Sequence, residues 1–196
     1  MTTTQHKVRL MLGGALAILA LAGCTAQGGP QVVPAGSQAP LQEVPCEATG
    51  TAARPPALHA TASGPYAVEK VVDGDTIRIS CNGTSTRVRL VGINAPESVK
   101  EDAPVECGGP EASTYLHSLL DGQQVFLSAD PGQGVRDKYD RILAYVWTAD
   151  GTLANRAILE HGHAEATGYG KPFAHSGDFT AAADQAQNSK AGRWNC

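Results

Sequence analysis

Within residues 70–97, KVVDGDTIRISCNGTSTRVRLVGINAPE, the side chains able to do chemistry are carboxylates, an amide and arginines. Asp75 closes an acidic Asp-Gly-Asp turn, Arg87 and Arg89 alternate on a strand-like run, and Asn94 and Glu97 end the stretch. Oxygen donors suit a hard divalent cation, and forked guanidinium donors suit phosphate. A glutamate in reach of both can take a proton from water. Together these residue types point to metal-assisted chemistry on a phosphodiester. Taken singly they also have plain structural readings: Asp-Gly-Asp as a hairpin turn, Arg89 as an ion-pair partner, Glu97 as a loop carboxylate. A second cluster, Asp137-Lys138-Tyr139-Asp140-Arg141, supplies another arginine at the entry to a strand. Lys138 and Tyr139 are suited to grip a phosphate and stack on a base, and the cluster reads equally as an exposed charged loop.

Strands and turns must carry these groups. Residues 66–72 and 76–80 read as strands around Asp73-Gly74-Asp75, and Asn82-Gly83 is a second turn signal. A third strand follows over 86–93. Val88 and Leu90 face one side of it, while Val91 and Ile93 share the face of Arg89 and make that face half apolar. Pro96 stiffens the turn that follows and biases Ala95 to an extended form. Pro110 opens a helix with an apolar stripe at Ala112, Tyr115, Leu116, Leu119 and Leu120, and Gly122 ends it. Residues 124–129 and 142–147 are the fourth and fifth strands. A short helix runs over 153–160, and a last one carries Phe179, Ala182, Ala183 and Ala186 on one face. The expected fold class is α+β, a five-stranded OB-type β-barrel with about three helices. His161 and His163 form a His-Gly-His pair, and with no third ligand spacing nearby they read as surface histidines.

The first 23 residues read as a signal. Lys7 and Arg9 precede the apolar run from Leu10 to Ala22, shorter than the ~20 residues a membrane-spanning helix requires. The run ends in Leu21-Ala22-Gly23-Cys24, which resembles a bacterial lipoprotein signal with Cys24 as the lipidated residue. Residues 24–65, rich in Pro, Ala and Gly, read as a tether, and 66–196 as the folded domain. The expected location is therefore the extracytoplasmic face of a membrane, reached through the lipid anchor. The formal charge is −4; without the two positive side chains of the signal it is −6. That excludes recognition of nucleic acid through a broad basic surface and leaves a local positive site. Four further cysteines, Cys46, Cys81, Cys107 and Cys196, suggest two disulfides in an exported chain, with three pairings open.

VVDGDTI, RVRLVGINAPE, GPEAS, DKYDRILAYVW and the closing GRW, in this order and spacing, resemble the thermonuclease (staphylococcal nuclease-like) family over residues 66–196. The resemblance implies an OB-fold barrel with three helices and calcium-dependent cleavage of DNA and RNA; the chain is expected to act as a monomer. By position it implies catalytic roles for Arg89, Glu97 and Arg141. It implies calcium ligation by Asp75, Asn94 and the Ala95 backbone carbonyl, with Thr76 at the edge of the metal site. Lys138 and Tyr139 match nucleotide-contacting positions. The chain departs from the family at Asn94, where an aspartate is the rule. It also departs at Gly168 and Gly170, which stand at stacking-tyrosine positions; Tyr169 between them is expected to substitute in part as a substrate-binding residue. The family also implies Cys107–Cys196, and hence Cys46–Cys81. The alternative function is a catalytically weak or inactive OB-fold module that binds nucleic acid or another envelope ligand.

Overall fold

Alternation of apolar side chains builds the wall of the barrel. In β2 (Thr76–Cys81) Ile77, Ile79 and Cys81 are buried while Arg78 and Ser80 are not. β1 (Ser63–Val71) sends Tyr66, Val68 and Val71 inward, with the register shifting between Val68 and Lys70. β3 (Thr84–Leu90) contributes Val88 and Leu90. The β2–β3 connection is Asn82-Gly83 with φ of 51° and 73°. Two consecutive positive φ values match the twist of a two-residue hairpin. The computed structural model describes residues 44–48, 50–55, 62–98 and 104–196. The signal, Cys24 and most of the tether lie outside the described residues. Among the described residues no helix is long and apolar enough to cross a membrane.

β5 (Gln124–Ser128) and β6 (Ile142–Thr148) close the barrel in the order β1-β2-β3-β6-β5. Every pairing is antiparallel except β3 with β6, where Val88 lies opposite Ile142 and Arg89 opposite Leu143. α1 (Gly109–Leu120) buries Ala112, Leu116 and Leu120. α2 (Ala154–Glu160) and α3 (Ser176–Asn188) follow, the latter burying Phe179, Ala182 and Ala186. This is the expected α+β barrel with three helices.

The third strand stops at Leu90, short of the expected residue 93. Gly92, at φ 80°, turns the chain away, and a Cβ there would stand 2.8 Å from ring carbons of Phe173 and Phe179. Asn155 fixes the departure. Its fully buried amide donates to the Val91 carbonyl (2.8 Å) and accepts from the Val146 N–H (2.8 Å). The chain then resumes as β4 (Ile93–Asn94), paired with β7 (Glu165–Ala166). Val91 and Ile93 therefore do not continue the face that carries Arg89.

The described part of the segment before β1 packs on the barrel. Cys46 is bonded to Cys81, and the Tyr66 hydroxyl donates to the Cys46 carbonyl (2.8 Å). The Gln124 amide oxygen accepts from the Thr51 and Ala52 N–H groups. The second disulfide, Cys107–Cys196, ties the segment before α1 to the chain end. Both pairings are those implied by the family resemblance.

Candidate functional site

The turn between β1 and β2 aims two carboxylates at one point. The Asp73 carboxylate accepts from the Asp75 N–H (2.9 Å), a local bond that sharpens the turn. Gly74 is required beside it, since a Cβ there would meet Ala95 and Ala112 methyls at 2.6 and 2.8 Å. Asp75 is 7% exposed, and each of its oxygens is engaged. Oδ1 accepts from the Thr76 hydroxyl (3.0 Å), and Oδ2 accepts from the Ala95 N–H (3.0 Å) and pairs with Arg89 Nη2 (2.9 Å).

Arg89 lies on the outer face of β3 and is nonetheless 6% exposed, because the Asp75 turn and residues 94–95 fold over it. Its Nη1 donates to the Leu90 carbonyl (2.7 Å) and its Nη2 to the Tyr169 hydroxyl (2.7 Å). Tyr169 in turn donates to the Asn94 amide oxygen (2.7 Å). A buried guanidinium is tolerated because it has both a carboxylate and neutral acceptors. Arg141, at the mouth of β6, is oriented by Asp137 through Nε (2.7 Å) and approaches the Thr76 hydroxyl with Nη1 (3.5 Å). Burial pushes the Asp137 carboxyl up, but hydrogen bonds from Arg141 and Tyr139 outweigh it and hold the group below the usual carboxylate range.

Asp73, Asp75, Arg89, Asn94, Ala95, Glu97, Arg141 and Tyr169 all line one cleft of about 190 Å³. The expected catalytic residues and Asp75, Asn94 and Ala95 thus meet; Thr76 does not line the cleft, but its hydroxyl donates to Asp75 and lies 3.5 Å from Arg141 Nη1, 65 positions away in sequence. Lys138 and Tyr139 do not line this cleft. The Tyr139 side chain opens onto a neighbouring groove, with the Arg141 guanidinium 5.5 Å and the Lys138 ammonium 4.9 Å from its ring centre. Asp73 is a cleft residue that sequence reasoning treated only as part of a turn. Its place two residues before Asp75 was the available signal. Burial, with the Asp75 charge adding to it, raises its carboxyl to about 6.

Among the described residues no three His, Cys, Asp or Glu side chains form a metal cage. The side chains of the cleft that could meet a metal offer oxygen: the Asp73, Asp75 and Glu97 carboxylates, the Asn94 amide oxygen and the Tyr169 hydroxyl, with the Thr76 hydroxyl behind Asp75. That donor chemistry fits a hard cation such as calcium and not a thiolate- or imidazole-seeking metal. His161 and His163 stand apart, their parallel rings 6.5 Å between centres, with Tyr115 against both.

The profile of the family described as "Staphylococcal nuclease homologue" matches residues 87–196. The chain is 42% identical over 104 residues to a thermonuclease of Staphylococcus intermedius, covering 53% of this chain and 60% of that protein. It is 35% identical over 130 residues to a thermonuclease of Staphylococcus hyicus, covering 66% of this chain and 75% of that one. A prophage-derived endonuclease of Bacillus subtilis, YokF, is 37% identical over 95 residues, 48% of this chain and 31% of that protein. The family match begins at Arg87, so it takes in Arg89, Asn94, Glu97 and Arg141 and leaves the Asp73–Asp75 turn to the geometry. By profile, by these relatives and by its barrel, the chain belongs to the staphylococcal nuclease homologue family.

Proposed function

We propose that the protein is a calcium-dependent nuclease that hydrolyses phosphodiester bonds of DNA and RNA, acting as a monomer tethered to a membrane through Cys24. The observation that carries the reading is the meeting of Arg89, Arg141 and Glu97 with Asp75 and Asn94 on one small cleft. The names of the relatives, thermonuclease and endonuclease, support it.

Asp75, Asn94 and the Ala95 carbonyl would hold the calcium ion, with Thr76 at the edge. Bound there, it would offset phosphate charge and favour the attacking water. Glu97 accepts the proton of that water as its oxygen bonds to phosphorus. Arg89 and Arg141 donate to the phosphoryl oxygens and stabilise the charge that builds on them as the ester bond breaks; the leaving oxygen departs with the bonding pair and takes a proton from solvent. Tyr169 now satisfies Arg89 Nη2, so an incoming phosphate takes over that donor and frees the phenol to contact the nucleotide. Every group involved comes from one chain.

Single-stranded DNA and RNA should be cleaved by the full chain in millimolar calcium and left intact with chelator. Glu97→Gln should lower kcat by about 10²–10⁴. No cleavage at any calcium level, with Glu97→Gln indistinguishable from the natural chain, would sink the reading. The tether is checked separately, since Cys24→Ala should move the protein from the membrane to the soluble fraction.

One observation favours the second reading, a binding module with little activity. The Asn94 oxygen is neutral and already accepts from Tyr169 and Arg89. A chain that binds oligonucleotide but takes up no calcium in calorimetry would be that module.

A further inference from the structure

β2 and β3 pair so that Thr76 lies opposite Arg89 and Arg78 opposite Arg87. All four project from the outer face of the barrel, since the intervening Ile77, Ile79, Val88 and Leu90 fill the core. Arg89 of the first pair lines the cleft. The Arg78–Arg87 pair is the next on the same face, roughly 7 Å further along at about 3.4 Å per residue. A second groove of about 420 Å³ opens there, lined by Arg78, Arg87, Arg136, Tyr139 and Asp140 among others.

Among the described residues neither Arg78 nor Arg87 has an ion-pair partner; Arg136 alone of the three is paired, with Asp140 at 3.1 Å. Like charges directly opposite on paired strands destabilise a sheet. An anion seated between the two guanidiniums would remove that cost. Tyr139 links the two sites. It is 58% exposed and lines the second groove, while Arg141, which lines the cleft, lies against its ring. An arginine track beside an exposed aromatic ring is what holds single-stranded nucleic acid, with phosphates on the cations and a base stacked on the ring.

We propose that the Arg78–Arg87 groove is a second phosphate-binding subsite, which holds the backbone of a single-stranded nucleic acid leading away from the cleft. The inference rests on the nuclease reading and narrows its substrate to strands long enough to bridge both grooves. It also reconciles nucleic-acid binding with a net charge of −4, because the positive charge is concentrated on one sheet face.

The test uses the full chain with chelator and no divalent ion, so that nothing is cut. Binding of a labelled single-stranded dodecamer and of a labelled dinucleotide is followed by fluorescence anisotropy across a salt series. Arg78→Gln/Arg87→Gln should weaken dodecamer binding roughly tenfold and lower the salt slope by about 1.4, at about 0.7 per lost phosphate contact. Dinucleotide binding should stay within twofold. The single change at exposed Arg87, with melting temperature as a folding control, should lower the slope by about half as much. An unchanged dodecamer affinity and slope overturns the subsite. An equal loss for the dinucleotide also overturns it, because the arginines would then act on the cleft. Loss of binding to phosphatidylglycerol vesicles with dodecamer binding intact would make the face a membrane contact instead. Arginine-dependent binding by a chain that never cleaves would sink the nuclease reading and leave the subsite standing. Cleavage that is indifferent to both arginines, with unchanged binding, would do the reverse.

Discussion

At the residue scale, the proposed calcium site turns on Asn94. Its amide oxygen accepts from Tyr169 and Arg89 and brings no charge to Asp75. Ion affinity at oxygen sites follows the number of charged ligands. Asn94→Asp should therefore raise calcium affinity on the order of tenfold, measured by calorimetry on the full chain. An unchanged affinity would mean that residue 94 does not contact the ion. Asp75 and Arg89 were legible in the sequence as residue types. Their mutual burial was not, because it depends on residues 94–95 folding back over a strand face that alternation leaves only half apolar. The Tyr169 hydroxyl reaches Arg89 from 80 positions away, a contact that no local pattern announces.

At the scale of elements, one asparagine ties β3, β6 and α2 together. Asn155 in α2 bonds the Val91 and Ala144 carbonyls and the Val146 N–H while fully buried. Removing it leaves three buried backbone groups without that partner, each costing about 1–3 kcal/mol when unsatisfied. Asn155→Ala should lower unfolding stability by about 3 kcal/mol or more in urea denaturation. A loss below about 1 kcal/mol would show that the strand ends close without it. The turn at Gly92 belongs to the same device, and a side chain there collides with Phe173 and Phe179. The sequence showed Gly92 as a glycine within an apolar run, which reads as strand because the two phenylalanines that require the turn come some 80 residues later.

For the molecule as a whole, the two disulfides and one half-buried histidine shape stability. Cys46–Cys81 closes 35 residues of sequence and Cys107–Cys196 closes 89. On chain-entropy grounds, replacing the second pair by serines should cost roughly 1 kcal/mol more than replacing the first, within about 2–5 kcal/mol for each. Urea denaturation of the two double variants checks the order. Burial, with the His161 charge adding to it, holds the His163 imidazole below its ordinary value, against an opposing effect of Glu111. Above about 6.5 both the folded and unfolded imidazole are neutral, and stability is full. As pH falls below that, the unfolded chain takes up a proton first, so stability declines until the folded pKa is passed. Melting temperatures from pH 8 to pH 5 should fall less steeply for His163→Gln than for the natural chain. Parallel curves would remove His163 from the account.

Local chemistry was enough for the five barrel strands, for the hairpin turns though not the turn at Gly92, and for the short list of reactive side chains. Asp-Gly-Asp, Asn-Gly and alternating Val, Ile and Leu act over two to eight residues, the range in which backbone conformation is set. The parallel pairing of β3 with β6 is a different matter. It brings Arg141 to the cleft that Arg89 borders, and it also aligns Arg78 and Arg87 beside Tyr139. Only barrel closure does this, because the two strands are separated by a helix and two other strands and meet through backbone bonds that every sequence possesses. The sequence by itself therefore determined which groups could act on a phosphodiester. The tertiary structure decided which of them share a cleft, and which arginines were left on the sheet face outside it.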